Sequence, residues 1–473
     1  MFSFAPILLE VFFVLLKPQE LYEWLLAFKP LYTLPALIAV GFMFDGLFDS
    51  DRFGRRVGSI GGAPFLKAAV FFFVWTLITA AIRNPSEIVP QAVLFGTPMI
   101  MSLAIAHCIR SWKLYQAFAA AMLALALFLS FIGTHQASAP FRCHWIDPVD
   151  RTILHYEGSP CAGPEAEAEC YTGDEGADHG RAYVCEHAGL WGTASVSGRI
   201  RFRGNLEDPN ELSLTVAIAF PFVFAYFQRK KNALRLLVML GSLGLIGSCV
   251  FYSQSRGGQV VLLVVLGTFF TLRYGWKIGA IAGGIASIPM AALMAMSGRS
   301  ESEAEGSSLE RVECLAVGLE LVKTSPIFGI GKGQFGEYHF LTAHNSYVLA
   351  AAETGIVGFA VWSFVMFLAV KIPWSALKML KDRKGADAAR ARTYAGAMLA
   401  STIGLVVGSF FLSFTYHPIL WIYVGFSGAL YGVIKRDIPE WKVRLTQKDA
   451  ILIVIGNLTL LTAIFIYSKV KLH

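Results

Sequence analysis

The chain has 473 residues, 55% of them hydrophobic, a formal net charge of +7 and a mean hydropathy of +0.56. Soluble domains seldom combine these values, so a large water-soluble enzyme is excluded and a polytopic helical membrane protein is predicted. The positive charge does not imply nucleic-acid binding, because the basic residues sit in short connections between apolar runs, where they set orientation.

Apolar runs recur at roughly 4–16, 30–46, 66–82, 90–108, 114–134, 211–228, 233–252, 258–273, 277–296, 345–370, 393–413, 418–434 and 450–467. They predict an all-α fold with about 12 or 13 transmembrane helices. The first run is short enough to be interfacial. It lacks a basic leader and a small-residue cleavage site, so no cleavable signal peptide is expected. The chain divides into N-terminal helices (1–134), a cysteine-containing loop (135–210), central helices (211–296), a second long loop (297–343) and C-terminal helices (344–473). Lys and Arg crowd 52–56, 110–113, 229–235, 273–277, 371–392 and 435–448, all on one side of these spans. That side is expected to be cytoplasmic. Both long loops then face outward, to the periplasm if the protein is multi-pass in a bacterial inner (cytoplasmic) membrane.

Cys143, Cys161, Cys170 and Cys185 share the first long loop. Four thiols in a polar outward loop predict two disulfides, with the pairing open. Zinc is a weaker reading. His144, His155, His179 and His187 lie in the same loop, but no C-x2-C or H-x3-H spacing appears. The acidic stretch Glu165, Glu167, Glu169, Asp174, Glu175 and Asp178 reads as solvated surface, with calcium a weak second choice.

Three stretches do not suit passive spans. Arg201-Phe202-Arg203-Gly204, followed by the helix-start signal Asp208-Pro209-Asn210, places cations on the outward side. Arg203 is the stronger candidate for binding an anion and Arg201 the weaker. Tyr252-Ser253-Gln254-Ser255-Arg256-Gly257-Gly258 interrupts two apolar runs too tightly for Arg256 to reach far into water. The paired glycines permit a sharp reversal and close backbone approach. The second long loop carries Arg311 on an amphipathic segment. It then passes Pro326 to Phe335, Glu337, Tyr338 and His339 to reach His344-Asn345, where an apolar helix begins. The glycines at 329, 331 and 333 lack the G-x4-G-K-[ST] pattern of a phosphate loop. A histidine at a helix N-terminus feels the positive end of the dipole, which favours a neutral, proton-accepting ring. Gly355 and Gly358 share one face of the helix and invite close packing. His417, before Pro418, reads as a turn residue.

A neutral imidazole and two guanidinium groups on one face suit glycosyl transfer from a diphosphate donor. The imidazole takes the proton of an acceptor hydroxyl, and arginine forks meet the charge growing on the leaving diphosphate. His344-Asn345, nine residues, Gly355, two residues, Gly358 resembles the H-[NSQ]-x9-G-x2-G signature of the bacterial O-antigen ligase superfamily, which includes O-antigen polymerases and protein O-oligosaccharyltransferases. Ser255-Arg256-Gly257-Gly258, Arg203-Gly204 with Pro209-Asn210, and Pro326 to Phe335 resemble other segments of that family. The resemblance covers roughly residues 200–434.

The resemblance implies a GT-C-like fold and metal-free, cofactor-free transfer from an undecaprenyl-diphosphate-linked glycan in the periplasm. The implied acceptor is lipid A-core, or a growing polysaccharide if the protein is a polymerase. By this resemblance His344 is the base and Arg203 and Arg256 hold the diphosphate; Arg201, Arg311, Asn345, Ser255 and Tyr338 are further candidates for contact with substrate. Two features depart from the pattern: the long, cysteine-rich loop, and the absence of an R-x10-G spacing after Arg201, Arg203 or Arg311. A transporter without chemistry is the rival of another class, but it would place its ionisable residues near the midplane of several spans.

Overall fold

The structure is a computed structural model that describes residues 2–48, 62–148, 154–162, 170, 181–229, 232–281, 283–284 and 301–472. Fourteen helices carry the argument. The N-terminal group is α1 (Phe4–Leu16), α2 (Pro30–Phe48), α3 (Leu66–Arg83), α4 (Ile88–Cys108) and α5 (Trp112–Ser138). The central group is α6 (Pro209–Ala219), α7 (Pro221–Arg229), α8 (Ala233–Tyr252) and α9 (Arg256–Tyr274), and α10 (Glu301–Thr324) occupies the second loop. The C-terminal group is α11 (Ser346–Leu380), α12 (Ala386–Gly408), α13 (Pro418–Asp437) and α14 (Gln447–Leu472). Among the described residues, nine helices are long and apolar enough to cross a membrane, counting α6 and α7 as one. The protein is an all-α, multi-pass membrane protein.

The remaining expected spans differ for physical reasons. Helices α1 and α2 are apolar but short. Helix α12 is a long buried helix whose first two turns carry Asp387, Arg390 and Arg392. Of the expected span at 277–296, the part beyond 284 lies outside the described residues.

The centre of the bundle is α13, buried along most of its length. It packs against α4 and α11, while α12 packs against α9 and α11. Gly425 lies so close to the backbone of Ser102 that a Cβ there would collide, which lets α13 and α4 approach closely. Helix α9 runs from Arg256 to Arg273, and α11 runs parallel in sense, from His344 to Leu377 and beyond. The basic connections at 110–113, 273, 380–393 and 436 therefore gather at one end of the bundle. The starts of α6, α9 and α11 gather at the other.

The first long loop, expected as a polar cysteine-containing loop, holds a three-stranded antiparallel sheet of β1 (Phe141–Ile146), β2 (Leu154–Pro160) and β3 (Tyr183–His187), in the order β2-β1-β3. Cys143 faces Cys185 directly across β1 and β3. Cys161 is disulfide-bonded to Cys185, while Cys143 and Cys170 are free thiols. All four sulfurs lie within 4.8 Å of one another. Buried Glu186 accepts hydrogen bonds from the hydroxyl of Ser195 and the backbone N–H of Ser197 (2.5 Å) and Gly198 (3.2 Å). It thereby turns the chain toward Arg199 and the bundle.

Candidate functional site

Three helix starts meet around a cavity of about 400 Å³. Asp208 caps α6 by accepting from the N–H of Asn210 (2.8 Å), and Pro209 stands at the first helical position, where a missing N–H costs nothing. Ser255 caps α9, its Oγ accepting from the N–H of Gly258 (3.0 Å). Asn345 caps α11, its Oδ1 accepting from the N–H of Tyr347 and Val348, both at 3.0 Å. The positive ends of three helix dipoles are thus brought to one place, which suits an anion.

Asn210, Arg256, Arg311 and His344 supply the polar wall, and Val260, Leu315, Phe410, Phe411 and Tyr467 supply much of the apolar one. Arg256, the first residue of α9, is exposed to the cavity and makes no hydrogen bond or ion pair among the described residues. The tight α8–α9 corner turns at Gln254, which takes φ +50. The glycines after it do not need a left-handed backbone. Gly258 is required instead for close approach, since a Cβ there would collide with the side chain of Ser213 on α6.

His344 is half-buried and adopts φ +45. This left-handed conformation is uncommon for a residue with a side chain, and histidine is among the residues that tolerate it better. Its ring makes no hydrogen bond among the described residues. Burial and the neighbouring Arg311 hold its pKa below the usual value of 6.5; His339 adds to this, while Asp208 and Glu310 oppose it. The imidazole is therefore neutral at neutral pH and able to accept a proton.

The connection from α12 to α13 straps the start of α11 in place. The side-chain N–H of Asn345 donates to Phe410 O (3.0 Å), Ser346 Oγ donates to Leu412 O (2.6 Å), and Ser346 Oγ accepts from the N–H of Phe414 (2.7 Å). On the other side, the glycine-rich segment docks onto a break in α11. Ile330 N–H donates to Ala352 O and Gly331 N–H to Glu353 O, both at 2.9 Å, and Ile356 N–H donates to Pro326 O at 2.8 Å. Gly355 interrupts the helix at φ +67, ψ −177, a conformation essentially restricted to glycine. A Cβ there would also run into the carbonyl of Ile327. Buried Lys332 donates to Gln91 Oε1, and the ring of Tyr416 lies 4.9 Å beneath its charge. Glu353 Oε1 accepts from the N–H of Gly333 (2.9 Å). Gly358 then lies against Trp75 of α3. The close packing expected at Gly355 and Gly358 is therefore with a loop at the first and a helix at the second.

Several expected site residues lie elsewhere. Arg203 does not line the cavity: its guanidinium donates to Trp191 O and faces Glu20. Arg201 is buried, with Nε donating to Ala194 O at 3.0 Å. Asn345 and Ser255 are buried and committed to capping rather than open to substrate. Tyr338 is exposed and away from the cavity. The arginine that joins Arg256 and His344 is Arg311.

Sequence reasoning passed over Arg199, whose Nε donates to Ser253 O (3.0 Å) and whose Nη2 donates to Asn210 Oδ1 (3.3 Å). The alternation Arg199-Ile200-Arg201-Phe202-Arg203, with both apolar residues buried, is the signal that would have found it. His417 is the cap of α13, as a turn residue should be. Its Nε2–H donates to Asn205 O (3.1 Å), and burial lowers its pKa to about 4.

The cysteine cluster is the place where a metal would be sought. A disulfide removes two of its four thiolates, however, and a four-thiolate site needs all of them. One ring nitrogen of each of His144, His155 and His187 is hydrogen-bonded, to Arg142 O, Asp147 and Ala139 O respectively. The acidic stretch between Glu165 and Asp178, and His179 with it, lies outside the described residues.

A family model described as O-Antigen ligase matches residues 241–363. The matched region contains Arg256, Arg311, His344 and the helix break at Gly355, and it ends before the α12–α13 strap. No curated protein matches the chain. The match spans 123 of the 473 residues, and in this region the chain is similar to the O-antigen ligase family.

Proposed function

We propose that the protein transfers a glycan from a polyprenyl diphosphate to an acceptor hydroxyl, with His344 as the base and Arg256 and Arg311 on the diphosphate. The observation that carries this reading is the convergence of those three side chains at the starts of α6, α9 and α11. In the reaction, the acceptor O–H gives its proton to a ring nitrogen of His344. The acceptor oxygen bonds to the anomeric carbon as the bond from that carbon to the phosphate oxygen breaks. The electron pair stays on the departing diphosphate. Two guanidinium forks and three helix N-termini oppose the growing charge, and in a cavity walled by Phe410 and Phe411 they act with little screening. The charge is met by fixed cations of the protein, so transfer is expected to persist in the presence of chelators.

Orientation follows from the arrangement of the ends. The cationic connections gather opposite the cavity, which favours a cytoplasmic placement for them and a periplasmic one for the cavity of an inner-membrane enzyme. The leading acceptor is lipid A-core, as for a ligase. Reconstitution with an undecaprenyl-diphosphate glycan, offering lipid A-core, a lipid-linked glycan and a protein acceptor in turn, tests both the chemistry and the acceptor. A single addition to lipid A-core supports ligation, and progressive elongation of the lipid-linked chain would replace it with polymerisation. No transfer to any of the three would defeat the reading.

A further inference from the structure

A second cavity, of about 620 Å³, opens at the opposite end of the bundle, between α5, α7, α9, α11 and α12. Its polar side is formed by Arg273, Arg390, Arg392 and Gln228, and its apolar side includes Phe269 and Leu272. The three arginines are engaged very differently. Arg392 Nη1 donates to the carbonyls of Leu380, Lys381 and Arg383 at 3.0–3.2 Å, so it closes the end of α11. Arg390 pairs with Asp387 through Nη2 at 2.8 Å and lies 5.1 Å over the ring of Trp112. Its Nε is buried and has no hydrogen-bond partner among the described residues. Arg273 is exposed at the cavity edge and makes no ion pair among the described residues.

Of the three arginines lining the cavity, Arg390 alone has a carboxylate partner among the described residues, and its buried Nε stands without an acceptor there. A buried N–H on a charged group is costly to leave unmade, so the site is built for an oxygen anion. The apolar side continues outward through exposed Leu272, Tyr274 and Trp276, an aromatic and aliphatic edge of the kind found at a lipid interface. An anionic head with an apolar tail fits both halves, whereas a free anion fits one.

We propose that this cavity binds the phosphate of an anionic phospholipid from the leaflet opposite the His344 cavity, with Arg390 and Arg273 on the phosphate oxygens and the acyl chains along Phe269 and Leu272. Basic pockets between helices on this side of a membrane protein are suited to such headgroups. The proposal does not depend on the transfer chemistry.

The test uses the full chain, delipidated in detergent and followed by native mass spectrometry. It would be offered phosphatidylglycerol, phosphatidylcholine of the same chain length, or inorganic phosphate. Retention of phosphatidylglycerol over phosphatidylcholine is expected, with no displacement by inorganic phosphate. The double variant R273Q/R390Q should lose the preference, by about fivefold per arginine or about 25-fold together. R273K/R390K should keep most of it, which separates lost charge from lost folding. Equal retention of both lipids, or undiminished binding by the glutamine variant, would overturn the proposal. So would displacement by inorganic phosphate, which would mean a free-anion site.

Discussion

Two groups of cations at the His344 end of the molecule invite comparison. Arg201 and Arg203 follow the β-sheet in the chain and donate to backbone carbonyls, of Ala194 and Trp191 respectively. Arg256 and Arg311 lie at helix starts and line a cavity they share with His344. Burial lowers the pKa of both arginines in the first group. Those two groups are fastened into the fold, whereas Arg256 presents an uncommitted fork to the cavity. Residue type and sidedness are the same in both groups, so what separates them is place: the first pair is bonded to backbone carbonyls outside the cavity, and the second lines it.

The largest test of that distinction is removal of the base. His344→Ala should lower transfer by about 10²–10⁴-fold, the usual worth of a positioned general base. His344→Asn is the better variant, because asparagine tolerates the left-handed backbone at φ +45 but cannot take a proton. Membrane insertion and unfolding temperature should match the parent, and near-parental transfer by His344→Asn would remove the base from the mechanism. Next in size, Arg256→Gln should cost about 10²–10³ in turnover. Arg203→Gln should leave turnover within about threefold while lowering stability by about 1–2 kcal/mol through the lost bond to Trp191 O. If the two variants exchanged effects, the cavity would not be where diphosphate binds.

The same contrast shows what could be read from the sequence. Helices betray themselves through long apolar runs, and the start at Asp208-Pro209-Asn210 and the start at His344-Asn345 were legible from local chemistry. Arg256 was legible too, because a cation in a tight corner between apolar runs has few passive explanations. The choice between Arg203 and Arg311 was not. Both are cations in outward loops, and the choice depends on how far each loop folds back. Arg203 is drawn away to Trp191 O, in the segment after β3, while Arg311 arrives on a helix 33 positions before His344 in sequence. Asn345 and Ser255 looked like substrate contacts because polar residues beside a site usually are. Their oxygens instead satisfy helix N–H groups that would otherwise be orphaned. The role of Gly355 was also hidden. Its spacing suggested a helix contact, whereas a helix break receiving the carbonyl of Ile327 leaves no trace in periodicity.

That break supplies a smaller test, of stability rather than chemistry. Gly355→Ala places a Cβ against the Ile327 carbonyl and forces a side chain into a glycine conformation. It should cost about 3 kcal/mol, seen as a lower unfolding temperature. Because the loop from Pro326 to Gly331 is hydrogen-bonded at this point, its release should also loosen the approach to His344. Turnover should fall less than in His344→Asn. An unaltered unfolding temperature would mean that the loop can leave α11 without penalty.

The smallest expected effect bears most directly on how the cavity tunes its base. The usual imidazole pKa is 6.5, and in the folded protein burial and Arg311 hold that of His344 lower. The proton-accepting form therefore persists below pH 6.5, and the rate should stay level there, falling as pH passes down through the lowered value. Arg311→Gln removes a neighbouring cation that disfavours imidazolium, so the His344 pKa should rise and the acid limb should move to higher pH. Glu310→Gln removes an anion that favours imidazolium, so its limb should move the opposite way. Opposite displacements from adjacent positions on α10 are difficult to obtain from a general loss of folding, which would lower the rate without reversing direction. If both variants moved the limb the same way, or neither moved it, the titrating group would be something other than His344, and Arg311 would be left with the diphosphate alone.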